Sequence, residues 1–132
     1  RELADELDLS PSTVSNRFHR LQEDGIIERF VPIIDHEAAG FGLTALIEMT
    51  AETAKMEEVV ADLRARDRVT SFYEVTGESD MVLVCKFVDR EDMNRCVKEF
   101  QKVDGVLSTQ TKVVMTTPTE HGDVDLRAAR ED

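Results

Sequence analysis

Residues 75–87 read VTGESDMVLVCKF. Thr76-Gly77-Glu78-Ser79-Asp80 has the composition of a tight turn, with Gly for an unusual backbone angle and Ser and Asp for local hydrogen bonds. Met81, Leu83, Cys85 and Phe87 then alternate with the period of a half-buried strand. This strand is a restart. Upstream, Leu43, Ala45, Ile47 and Met49 alternate in the same way, and Met56, Val59, Val60 and Leu63 make a helical stripe before a β-rich run from Val69 to Thr76. Downstream, Met93, Cys96, Val97 and Phe100 make a second stripe, followed by a β-rich run from Val106 to Thr117. The four stripe residues, and Val69 with Val106, are displaced by 37 positions between the copies. The first strands match at 38, so the loop before the first helix is one residue longer.

Two copies of strand–helix–strand predict βαββαβ, the ferredoxin-like arrangement, with helices on one face of an antiparallel sheet. The other face carries Thr44, Leu46, Glu48 and Thr50 from the first strand and Val82, Val84, Lys86 and Val88 from the third. Three valines there predict association through the open face. Residues 43–117 form this domain, residues 35–42 a Gly-bounded linker with one helical turn, and residues 118–132 a polar tail with room for a short helix over Val124–Arg130.

Residues 1–34 have a different pattern. Ser10 to Gly25, SPSTVSNRFHRLQEDG, has Ser10 as a cap, Pro11 at the first helical position and Gly25 as a stop. Val14, Phe18 and Leu21 make an apolar stripe, and Ser12, Asn16, His19 and Arg20 lie opposite, with Arg17 on a flank. The same features fit an ordinary amphipathic helix. The preceding RELADEL is helical in pattern, and a three-residue turn at Asp8-Leu9-Ser10 sets Ala4 and Val14 ten residues apart to pack where two helices cross. That spacing favours a DNA-reading helix pair. Ile26-Ile27 and Phe30 to Ile34 are β-prone and are expected to form a short hairpin, or wing, with Pro32 restricting the second run to an edge.

The net charge of −12 opposes phosphate binding in general, yet Arg17, His19 and Arg20 form a local basic group. Arg outnumbers Lys eleven to five, a bias resembling that of proteins from salt-loving organisms. Cys85 and Cys96 stand apart without ligand spacing, and the three histidines are scattered, so neither a disulfide framework nor a metal site is expected. No Gly-rich phosphate loop or nucleophile elbow is present, which leaves no catalytic residues or cofactor to name. No apolar run suggests a membrane span or signal peptide, and a reducing cytoplasm is the expected setting.

RELADELDLSPSTVSNRFHRLQEDGII, the joint IIDHEAAGFGL, VTGESDMVLVCKF and GVLSTQTKVVM, in this order, resemble the Lrp/AsnC, or feast-or-famine, family of prokaryotic transcription regulators. The resemblance implies an α+β chain: a winged helix-turn-helix, its first helix lacking before Arg1, then a ferredoxin-like βαββαβ sensing and dimerisation domain. It also implies double-stranded DNA as partner, and homodimers assembling to octamers with a small effector, commonly an amino acid, bound between dimers.

By position, Ser12, Thr13, Ser15, Asn16, Arg17 and Arg20 match the recognition-helix segment. Asn suits adenine, Arg suits guanine, and hydroxyls suit phosphates. The effector site maps to Thr76, Gly77, Glu78 and Asp80, where Gly77 opens backbone N–H groups to a carboxylate and Asp80 suits an ammonium. Glu74 and Gln110, expected on neighbouring strands, are further candidates. A plain hairpin turn accounts for the same residue types. The reading is a DNA-binding regulator responding to an amino acid. The alternative is a metabolite-sensing or assembly module without effective DNA binding, and an enzyme on this fold lacks any catalytic constellation.

Overall fold

The computed structural model describes residues 10–129. The expected helix over RELADEL and the Ala4–Val14 crossing lie outside the described residues, as does the end of the expected Val124–Arg130 helix. The chain divides into two compact units at Ile34/Asp35.

In the first unit, α1 spans Pro11–Glu23. Ser10 caps it, its hydroxyl accepting from Thr13 N–H at 3.2 Å, and Pro11 begins it without forfeiting a needed donor. Its end is a Schellman turn. Gly25, at φ +78°, donates to the Gln22 carbonyl, and Ile26 donates to the Leu21 carbonyl. This closure accounts for a correction. The expected wing hairpin is absent: residues 27–34 form no strand among the described residues. The N–H groups of Ile26 and Ile27 both bond back to the Leu21 carbonyl, and Pro32 has no N–H to offer a ladder. Instead, the Phe30 ring packs edge-on against Phe18 with centroids 5.5 Å apart.

The second unit opens with the joint. Ala39 donates to the Asp35 carbonyl, the Asp35 side chain caps Ala38 N–H, and Gly40 at φ +102° ends the turn. Then come β1 (Leu43–Ala51), a 3₁₀ turn (Thr53–Lys55), α2 (Met56–Arg64), β2 (Val69–Glu74), β3 (Met81–Phe87), α3 (Arg90–Gln101) and β4 (Val106–Val113). A 3₁₀ turn over Leu126–Ala129 lies within the expected tail helix. The sheet runs β2-β3-β1-β4 with every neighbouring pair antiparallel. This is the ferredoxin-like βαββαβ order that the repeat predicts.

The repeat also explains where the copies differ. Thr53–Lys55 correspond at 37 residues to Arg90–Asp92, yet the first copy winds this turn as 3₁₀ and the second as α. Asp89 supplies the difference: its carboxylate accepts from Asp92 N–H at 2.8 Å, whereas Glu52 makes no side-chain cap.

Ala45, Ile47, Met49, Met81, Leu83, Cys85 and Phe87 face the helices and are essentially sealed, packed against Val59, Leu63, Met93 and Phe100. The larger of these side chains, the Val, Leu, Ile, Met and Phe, each contribute about 1.5–3 kcal/mol of burial energy. Among the described residues no helix is long and apolar enough to cross a membrane.

Candidate DNA-contact helix and effector site

Val14 is the one buried residue of α1, and Phe18 and Leu21 are half-buried beside it. Ser12, Ser15, Asn16, Arg17, His19 and Arg20 are exposed. Thr13 is set apart, because its hydroxyl lies 2.7 Å from the Ser10 hydroxyl and is occupied by the cap. Among the described residues neither Arg17 nor Arg20 is held in an ion pair. The helix thus presents hydroxyls, an amide and two uncommitted guanidiniums, the groups that bond phosphates and base edges.

The turn between the repeats is organised by Asp80. Its N–H donates to the Met49 carbonyl at 2.9 Å and its Oδ2 accepts from Ala51 N–H at 2.9 Å, extending the β1–β3 pairing ahead of the start of β3. One carboxylate oxygen is therefore committed to the fold. Thr76, Gly77 and Glu78 are exposed, and Gly77 sits at φ +109° with open space where a side chain would stand. That combination admits a ligand to the backbone.

Glu74 and Gln110 are not on neighbouring strands, which corrects the expectation for this pair. β2 and β4 are the two edges of the sheet, separated by β3 and β1, about 14 Å at three strand spacings. They also face opposite ways. Glu74 pairs with Met81 on the helix side, beside Met56, Val60 and Arg64, whereas Gln110 pairs with Glu48 on the open face. The cause is topological, since each repeat contributes one inner and one outer strand.

Glu48 is the residue that the sequence reading passed over. Ser79 Oγ lies 3.5 Å from its Oε1, and Lys112 Nζ lies 2.7 Å from its Oε2 in ion-pair contact. The Lys112 ammonium, outweighing the opposing effect of burial, holds Glu48 below the usual carboxylate range. Through Glu48 the turn is tied to β4 and Gln110. The available signal was that Glu48 is the one charged residue of β1.

At the other end of that face, Lys86 is almost fully buried, 3.1 Å from Thr44 Oγ1 and 3.2 Å from Glu120 Oε2. The tail therefore docks on the sheet through Glu120. Val88 lies past β3 and is exposed, so the open face is built from Leu46, Val82, Val84 and Tyr73 rather than from Val88. Cys85 is sealed in the core and its thiol is pushed up to about 12 by burial, while Cys96 is half-buried. Among the described residues no cluster of three His, Cys, Asp or Glu stands ready for a metal ion.

The Lrp/AsnC ligand-binding domain matches residues 44–124, and a winged helix-turn-helix DNA-binding family matches residues 1–28. An HTH-type transcriptional regulator of Pyrococcus horikoshii is 40% identical over 115 residues, covering 87% of this chain and 78% of the relative. The regulator FL11 of the same organism is 31% identical, covering 96% of this chain and 84% of its own. Among solved structures, a Neisseria meningitidis transcriptional regulator in complex with L-methionine superposes with a TM-score of 0.85 at 25% identity, over 96% of this chain and 84% of that one. A feast or famine regulatory protein from M. tuberculosis complexed with L-methionine gives 0.79 at 25% identity, over 93% and 84%. These relatives are regulators and not enzymes. With an exposed polar helix ahead of a βαββαβ domain, and with family matches over both parts, this chain belongs to the Lrp/AsnC family of transcriptional regulators.

Proposed function

We propose that this regulator reads DNA through α1 and senses a neutral amino acid at the turn between the repeats. The observation that carries the reading is the exposed set Ser12, Ser15, Asn16, Arg17 and Arg20 on a helix capped at both ends. Asn16 and one of the two arginines contact base edges, and the hydroxyls, Thr13 with its cap included, approach phosphates. The amino acid's carboxylate meets backbone N–H groups at Thr76, Gly77 and Glu78, and its ammonium meets the free oxygen of Asp80. Gln110 borders this site through Glu48. Glu74, on the helix side of the opposite edge, is a weaker member. L-Methionine is the first ligand to try, because two structurally similar regulators were solved with it.

The working unit is a homodimer joined through Leu46, Val82, Val84 and Tyr73, with octamers built from dimers and effectors held between them. Ligand binding then alters DNA affinity by favouring one assembly, hence one spacing of paired recognition helices. Residues 1–34 act as the DNA-binding part, 35–42 as the joint, 43–117 as the sensing domain and 118–132 as the tail. The setting is a cytoplasm of high salt, in which the charge of −12 is screened.

That same charge favours a second reading, a sensing module without effective DNA binding. Gel-shift titration against genomic fragments at several salt concentrations, with and without L-methionine, separates the two. Retarded fragments whose affinity changes with the amino acid support the regulator. Binding of the amino acid without retardation at any salt supports the module.

A further inference from the structure

A cavity of about 200 Å³ opens between α3 and the loop entering β2, lined by Arg66, Asp67, Arg68, Arg95, Cys96, Glu99 and Phe100. It adjoins the start of β2, while the turn at Thr76–Asp80 follows the strand's other end, so six residues, about 20 Å of strand, separate them. The volume equals about seven waters, matching the heavy-atom count of a small amino acid rather than of a nucleotide.

Its lining is divided by chemistry. Phe100, 2% exposed, gives an apolar floor, with Cys96 beside it. Three guanidiniums stand around it. Arg66 binds Asp62 through Nε and Nη2, and Arg68 binds Asp92 and Asp67. Arg95 commits only Nη2, to Asp92 at 2.6 Å, and its remaining N–H groups are uncommitted among the described residues. One turn along α3, Glu99 pairs loosely with Lys102 at 3.7 Å and not with Arg95. A cation with spare donors and an acid with spare acceptors thus flank one apolar floor.

We infer that this cavity is a second small-molecule site, taking a neutral α-amino acid with its carboxylate on Arg95, its ammonium on Glu99 and its side chain over Phe100. Charge balance supports a zwitterion over a plain anion, because Asp62, Asp67 and Asp92 already offset the three guanidiniums and leave Glu99 for an ammonium. Arg68 also covers the Phe41 ring at 5.4 Å, so the cavity wall reaches the joint that precedes β1. Arg68 is thus shared between the cavity wall and the joint.

Cys96 is a built-in reporter, since it lines the cavity while Cys85 is sealed. The test measures alkylation of Cys96 by N-ethylmaleimide, read by mass spectrometry. The probes are L-valine, its carboxylate-only analogue isovalerate and its amine-only analogue isobutylamine. At about 10 mM, a site of about millimolar affinity slows alkylation about tenfold. L-Valine is expected to protect the wild type and Gly77→Ala equally, isovalerate less, and isobutylamine not at all. Protection is expected to vanish in Arg95→Gln, an exposed position whose change leaves Asp92 its bonds from Arg68 and Val88 N–H. The inference is overturned if L-valine gives no protection, if protection survives Arg95→Gln, or if Gly77→Ala abolishes it, because the ligand then acts from elsewhere.

Discussion

Asp92 Oδ2 lies 3.0 Å from Arg68 Nε, an ion pair that ties the first turn of α3 to the loop entering β2. Asp92 is 3% exposed and also accepts from Val88 N–H at 2.8 Å and from Arg95 Nη2. Burial by itself raises this carboxyl. The hydrogen bonds from Arg68 and Val88, with the charges of Arg68 and Arg95, outweigh it and hold Asp92 below its ordinary value. A depressed carboxylate stabilises the fold above its unfolded-chain pKa, about 3.9. That contribution disappears as pH falls through the lower folded value. Asp92→Asn is expected to cost about 2 kcal/mol near neutral pH, leaving Arg68 without its anion. Urea melts across pH check it, and the gap between wild type and variant narrows as pH falls below about 3.9 and closes as it passes the lower folded value.

Gly105 and Gly77 share a positive φ, +103° and +109°, but not the same surroundings. A Cβ on Gly105 falls 2.8 Å from Val59 Cγ2 and 2.9 Å from Lys55 Cβ, whereas Gly77 has nothing within 4 Å. Gly77→Ala therefore carries backbone strain alone, about 1 kcal/mol, and Gly105→Ala adds overpacking for about 3 kcal/mol in total. Thermal melts of the two variants measure the difference. Equal destabilisation contradicts the close packing of the turn before β4 against α2.

The repeat made most of the second unit legible, because alternation and helical stripes are local and survive any tertiary arrangement. Met81 to Phe87 needed no partner to be read as a strand. Strand order was harder, and it misplaced Glu74 relative to Gln110, since adjacency depends on contacts between copies rather than on period. The bulges at Thr50/Ala51 and Val69/Ser71 were likewise hidden, being set by how strand ends meet. The wing was misread for a local reason: Ile26 is β-prone by composition, but its N–H completes the cap that Gly25 begins. The Lys86–Glu120 contact spans 34 residues and has no periodic signature. Within the candidate site, the turn was legible from Gly77, while the ties from Asp80 to Ala51 and from Ser79 to Glu48 depend on β1 lying alongside.

Arg20 and Asn16 separate the two components of DNA recognition. Replacing an Arg that meets phosphate weakens binding to all sequences and flattens the salt dependence by about 0.9 in log–log slope. Replacing a residue that meets a base leaves the slope unchanged and costs about 1–3 kcal/mol at one operator position. Asn16→Ala is expected to behave in the second way. Either Arg17→Ala or Arg20→Ala is expected to behave in the first, the other resembling Asn16. Fluorescence anisotropy with a selected operator at several salt concentrations measures both quantities. Three identical slopes at wild-type affinity exclude α1 as the contact helix.

Val84 tests the open sheet face without touching the core. It pairs with Leu46 on one side and Ser71 on the other, half-buried, while Leu83 and Cys85 on the same strand point to the helices. Val84→Glu should therefore keep the helix-side packing and the unfolding transition of the domain, but place a carboxylate in the middle of the proposed dimer surface. Burying that charge without a partner costs several kcal/mol, enough to dissociate a dimer of ordinary affinity. Salt sharpens the test. Each chain carries −12, so two wild-type chains repel, and raising ionic strength should tighten their association by screening. Desolvation of the new carboxylate is not relieved by screening, so the variant should stay monomeric at high salt as well as low. Sedimentation velocity at two salt concentrations distinguishes these outcomes. A variant that dimerises like the wild type moves the interface off the open face.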